Sequence, residues 1–122
     1  MPAAKKTSIP AEKVALYDKL IATNAEIERK GAKNPYTALN GNMFTLLNPP
    51  NGDLAIRLSP EEREKFIKKY KTKLFEAYGV VMKEYVAVPD SLLAKTSELA
   101  KYLNLSYAYA KALKPKPTKR GK

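Results

Sequence analysis

Residues 36–58, YTALNGNMFTLLNPPNGDLAIRL, are the stretch from which the fold can be argued. Asn40-Gly41 separates Tyr36, Thr37, Ala38 and Leu39 from a second run that starts at Asn42 and ends at Asn48. An Asn-Gly pair between apolar runs predicts a hairpin, because both residues tolerate the positive φ that a type I′ turn demands. Asn48-Pro49-Pro50-Asn51-Gly52-Asp53 is turn chemistry again. Beyond it Leu54, Ile56 and Leu58 alternate with Ala55 and Arg57, as in a strand with one buried face. Three antiparallel strands with one apolar face need a covering layer, so helices are expected on both sides of this stretch in the chain.

Upstream, residues 8–31 read as that first helix. Ser8 and Pro10 start it, Glu12 suits the positive end of the helix dipole, and Arg29-Lys30-Gly31 forms a stop signal. Val14, Tyr17, Leu20, Ile21 and Ile27 share one side, which should face the sheet. Downstream, Ser59-Pro60-Glu61-Glu62 combines a capping serine, a proline at the first helical position and a glutamate three residues after the cap. Phe66, Ile67 and Tyr70 form the inward stripe of this second helix, and the periodicity carries it through Leu74 and Phe75 to Tyr78, with Gly79 as its end. VVMKEYVAV, residues 80–88, is too apolar for a surface strand and is expected as a fourth strand paired with the first three. Pro89-Asp90 opens a short helix capped by Asp90. A further cap at Thr96 or Ser97 opens the longest C-terminal helix, in which Leu99, Leu103, Ala110 and Leu113 share a side with Tyr102 and Ser106 nearby. Tyr102 and Tyr109, seven apart, lie on one side, and Tyr107 is expected to point away from the core.

The expected architecture is α+β: an N-terminal helix, an antiparallel sheet of about four strands (a three-stranded meander plus one later strand), covering helices and a C-terminal helix. Of the 122 residues, 1–8 are expected to form a flexible basic N-terminus, 9–113 a single domain and 114–122 a disordered basic tail. No window approaches the ~18 apolar residues of a membrane span, which points to a cytoplasmic protein with no membrane partner.

Charge and composition bound the chemistry. The net charge of +11 is uneven: Lys5, Lys6, Lys114, Lys116, Lys119, Arg120 and Lys122 supply seven of it, leaving +4 for residues 7–113. With no Cys and no His, the chain lacks thiolate nucleophiles, sulfur metal sites and the commonest general base near neutral pH. The five glycines are scattered singly, which excludes a phosphate-cradling loop. Glu61, Glu62 and Glu64 occupy a helix first turn, where acids are stabilising in themselves, and Asp53 belongs to a turn. No catalytic residue, cofactor or metal ligand is therefore assigned.

Two basic segments remain. Lys68, Lys69, Lys71 and Lys73 place four cations within six residues around Tyr70, a composition that suits phosphate contacts plus stacking, or else a solvated helix end with Tyr70 in the core. Lys114, Lys116, Lys119 and Arg120 follow a proline break and suit an arm that gathers nucleic-acid phosphates, or else a solubilising tail. The partner expected from these is nucleic acid, through non-specific phosphate contacts. Self-association through a sheet edge or the last helix is a second reading. A third is a small-ligand pocket at Asn42, Arg57, Glu84 and Tyr85, where a charge falls in mid-strand.

NGNMFTLL followed by DLAIRL resembles the first part of the TfoX N-terminal-domain family. The run Met82-Lys83-Glu84-Tyr85-Val86-Ala87-Val88-Pro89-Asp90-Ser91-Leu92-Leu93, then Glu98-Leu99 and the Ser106-Tyr107-Ala108-Tyr109-Ala110 helix, is similar to that family's second half. The resemblance covers roughly residues 33–113. It implies an α+β fold of the kind built above and a link to regulators of DNA competence. It rests on folding residues and carries no functional residue with it.

Overall fold

The two turns that organise the meander are set by glycine. Gly41 and Gly52 adopt φ of 81° and 79°, and a Cβ on Gly52 would stand 3.0 Å from the side chains of Ile9 and Lys13. Around them the chain, in a computed structural model that describes residues 9–31, 35–39, 41–48, 52–77 and 79–113, forms three antiparallel strands. These are β1 (Tyr36–Leu39), β2 (Asn42–Asn48) and β3 (Asp53–Arg57). The expectations for both termini and for Asn40, Pro49, Pro50, Asn51 and Tyr78 lie outside the described residues.

The remaining elements are α1 (Ala11–Ile21), α2 (Pro60–Tyr70), β4 (Leu74–Ala77), β5 (Val80–Val88), α3 (Asp90–Leu93) and α4 (Thr96–Ala112). The sheet is antiparallel with strand order β1-β2-β3-β5-β4, so β5 pairs with the meander as expected. A main core joins the helices to the sheet. It contains Tyr17 and Leu20 of α1, Phe44, Leu47, Leu54 and Ile56 of the meander, Phe66 of α2, Val86 of β5 and Leu99, Tyr102 and Leu103 of α4. A smaller cluster of Ala55, Phe75 and Tyr85, bordered by Met43, Leu46, Met82 and Ala87, consists of strand residues alone. Leu54 and Ile56 thus face the helices, with Ala55 on the opposite face, as the alternation requires.

The sheet has one more strand than expected, and it comes from a misread helix. α2 does not continue to Tyr78 but ends at Tyr70. Lys71 turns left-handed at φ 53°, and its N–H and that of Thr72 both close on the carbonyl of Ile67. Leu74 and Phe75, which continue the helical spacing from Tyr70, instead form β4 and hairpin with β5. The first helix is also shorter than residues 8–31. Thr23 Oγ1 donates to the Leu20 carbonyl and Asn24 Oδ1 accepts from the Glu26 N–H, so two polar side chains take over backbone groups at the helix end. Ile27 is buried beyond that end, outside the helix. Smaller corrections fall at the later caps. α3 is preceded by Pro89 and α4 by Lys95, neither with a side-chain cap, while Asp90 pairs with Lys13 of α1 at 2.7 Å. Tyr107 does not point away: four residues after Leu103, it packs on Phe44 with ring centroids 5.8 Å apart.

A bulge in β2 positions the polar part of the core. Thr37 pairs with Thr45 but Ala38 pairs with Met43, leaving Phe44 as the extra residue. Both Phe44 and Thr45 are buried. The Phe44 carbonyl accepts from Ser106 of α4 at 3.2 Å, and the Met43 carbonyl accepts from the Tyr85 hydroxyl at 2.6 Å. Thr45 Oγ1 lies 2.7 Å from the Tyr17 hydroxyl and 2.6 Å from Thr37 Oγ1. Among the described residues no helix is long and apolar enough to cross a membrane.

Candidate nucleic-acid interface

α2 begins where its sequence requires. The Ser59 side chain accepts from the Glu62 N–H, Pro60 takes the first position and Glu61 and Glu62 sit in the first turn. Its fully buried residue is Phe66, whose ring lies 4.7 Å from that of Tyr70 and 4.9 Å, edge-on, from that of Tyr102. Anchoring Phe66 inward turns Lys65, Lys68 and Lys69 to solvent. The left-handed exit at Lys71 and the extended run into β4 keep Lys71 and Lys73 exposed as well. The four lysines singled out in the sequence are therefore all exposed at and just beyond the C-terminal end of α2, with Lys73 beside Phe75 and Ala87 on the sheet face away from the helices. Among the described residues none of them pairs with a carboxylate. Tyr70 is half-buried against Phe66 and Tyr102, so this segment offers cations and not a stacking ring.

Two further cations belong here that the sequence did not single out. The Tyr70 hydroxyl donates to Glu98 in the first turn of α4, and this hydrogen bond holds the Glu98 carboxyl below its ordinary range, with Lys95, Lys69 and Lys101 adding to the shift. Lys69, Lys95 and Lys101 are thus gathered around Glu98, where the end of α2 meets the start of α4. Lys69 Nζ also stands 5.4 Å from the centre of the Tyr70 ring. Lys95 and Lys101 lie more than twenty residues from the lysine run, and only the contact of Tyr70 with Glu98 and Tyr102 brings them close. The Tyr70 hydroxyl is pushed well above the usual phenol range by burial and by the carboxylate to which it donates.

The Glu98 contact gives a pH prediction with a fixed sign. A carboxyl whose pKa is lower in the folded chain adds stability above its unfolded value near 4.5, and that stability is lost as the pH falls through the lower folded value. Glu98→Gln should remove this part of the acid sensitivity. The urea midpoints of variant and parent should differ at pH 6 and converge as the pH falls below 4.5 and through the lower folded value. A constant offset at both pH values would remove the ionised carboxylate from the account.

The other candidate residues form a clasp across the sheet. Arg57 contacts Glu84 Oε1 through Nη2 at 2.5 Å and through Nε at 2.7 Å, and its guanidinium lies 5.8 Å from the Tyr85 ring and 6.0 Å from the Tyr109 ring. Burial raises the Tyr85 hydroxyl pKa, and Arg57 opposes the shift. Asn42 is buried at the start of β2, opposite Leu39. A groove of about 470 Å³ is bordered by Asp53, Lys73, Phe75 and Ala87, and another of about 760 Å³ by Lys19, Thr23, Lys95, Thr96 and Glu98. None of Asn42, Arg57, Glu84 and Tyr85 lines either groove. Lys114, Lys116, Lys119 and Arg120 lie outside the described residues. No known family model matches the chain, and no curated protein does.

Proposed function

We propose that this chain is a cytoplasmic, non-enzymatic binding module that associates with nucleic acid through non-specific phosphate contacts. These are made by the lysines at the end of α2 and by the basic C-terminal segment. The observation that carries the reading is the run of Lys68, Lys69, Lys71 and Lys73, exposed and without carboxylate partners among the described residues, with Lys69, Lys95 and Lys101 gathered around Glu98. Exposed, unpaired lysines attract the phosphate backbone without reading bases, because each gives a point charge and no base-edge pattern. The absence of His and Cys from the sequence supports a binding role over catalysis. The resemblance to the TfoX N-terminal-domain family, with its link to competence regulators, supports a nucleic-acid setting.

The test is the salt dependence of binding to mixed-sequence duplex DNA and to RNA. Each phosphate neutralised contributes about −0.9 to the slope of log K against log salt on duplex DNA, so four lysine contacts alone lower affinity roughly a hundredfold between 50 and 200 mM salt. The full chain should exceed this, and a chain truncated after Leu113 should retain the α2 share. In the truncated chain the Lys68→Gln, Lys69→Gln, Lys71→Gln, Lys73→Gln variant should lose about 3.6 units of slope on duplex DNA. Weak binding by every form at low salt, or a slope untouched by the four substitutions, overturns the proposal.

A further inference from the structure

We infer that two copies of this chain associate through the free edge of β4, joining their sheets antiparallel about a two-fold axis. β4 is the last strand of the sheet and pairs with β5 alone among the described residues. The opposite edge differs, because Lys30 exchanges two backbone hydrogen bonds with Tyr36 at the start of β1 and closes part of that edge. An open edge presents a row of unpaired N–H and C=O groups, and proteins that stay monomeric blunt it with very short strands, lysine or proline in the strand, bulges or inward charge. β4, LFEA, contains no proline, and its irregularity lies on the β5 side.

The hairpin that carries this edge is also the place where the domain exposes apolar side chains. Val80 is 62% and Val81 47% exposed, two of the three large apolar residues left to solvent among the described residues. β-branched side chains beside an open strand extend the surface a second strand would cover.

Charge order identifies the occupant as a second copy. Read along the chain, the edge is basic at its start, with Lys71 and Lys73, and acidic near its end, with Glu76, all exposed. Antiparallel pairing sets the basic end of one copy beside Glu76 of the other, and the two-fold axis repeats the match. Parallel pairing would set like beside like. The same geometry holds the two lysine clusters at opposite ends of the junction, about 14 Å apart for a four-residue strand. That exceeds the screening length of about 8 Å at physiological salt, so their mutual repulsion is largely damped. The inference does not rest on nucleic-acid binding, and its test is run without nucleic acid.

Sedimentation velocity of the full chain from micromolar to near-millimolar concentration should show the mass rise from 13.6 kDa to twice that value. Val80→Lys with Val81→Lys alters exposed positions, so the urea midpoint should hold while dimerisation weakens roughly tenfold or more. Glu76→Lys should weaken it about tenfold by placing like charges together twice. Adding Lys73→Glu to Glu76→Lys restores opposite signs across the axis and should recover most of that loss. A monomer at every concentration overturns the inference. So does a dimer indifferent to both the valine and the Glu76 substitutions, which would place the contact on another surface.

Discussion

Phe66→Ala is expected to cost about 3–5 kcal/mol of folding stability and to lower the midpoint of thermal unfolding by about 15–30 °C. Phe66 is fully buried, and its ring meets both Tyr70 and Tyr102 within 5 Å. Its loss removes the transfer free energy of an aromatic side chain and opens a cavity that its own helix is too short to close. The fraction of the total is large, since a domain of this size holds together by about 5–15 kcal/mol. The effect should also be local. An 11-residue helix is marginal in water by itself, and Phe66 is the fully buried side chain that fastens α2 to the sheet and to α4. Amide exchange across α2 should therefore accelerate more than exchange in β2 and β3. Lys68→Ala, two residues away and exposed, should shift stability by less than about 0.5 kcal/mol, and so serves as the control. A Phe66→Ala cost below about 1 kcal/mol would mean that α2 is held by something other than this aromatic group.

The contrast between Phe66 and β4 shows what the sequence carried. The start of α2 was legible because Ser59, Pro60 and Glu62 act through backbone groups within one turn, and no distant contact is needed to choose them. The meander was legible for the same reason, its glycine turns and its alternation both being local. β4 was not, because Tyr70, Leu74 and Phe75 satisfy a helical period as well as a strand. What decides between them is the left-handed turn at Lys71 together with pairing to β5, the first unusual for a lysine and the second non-local. The first helix stopped early because Thr23 and Asn24 compete for its backbone, an effect weaker in the sequence than the glycine ten residues on. At the candidate interface the lysine run was visible in the chain itself, whereas Lys95 and Lys101 join it only through packing of α4 on α2. The bulge at Phe44 left no mark that alternation could reveal, and it governs the buried polar residues that follow from it.

Those polar residues give the second large effect. Thr45→Val keeps the volume of the side chain and deletes one hydroxyl, yet it should cost about 3 kcal/mol. Thr45 Oγ1 is the shared partner of the Tyr17 hydroxyl and of Thr37 Oγ1, and all three residues are buried. Removing it leaves two buried hydroxyls without that partner, at about 1–3 kcal/mol each. Tyr17→Phe is the milder change, about 1 kcal/mol, because Thr45 keeps its bond to Thr37. The double variant should then be no less stable than Thr45→Val alone, since one of the orphaned hydroxyls is gone. This departure from additivity, read from urea midpoints, is the signature of a shared hydrogen-bond centre. The alkaline limb supplies an independent check. Burial pushes the Tyr17 hydroxyl up to about 12, against an ordinary value of 10.0, with the Thr45 and Thr37 bonds opposing the shift. A raised phenol contributes stability that is whole below pH 10 and is lost as the pH rises through the folded value. Between pH 10 and 12 the parent should therefore lose stability faster than Tyr17→Phe, which has no proton to give up there. Additive costs, or parallel alkaline limbs, would show that Tyr17 and Thr45 hold the α1–β2 junction independently of one another.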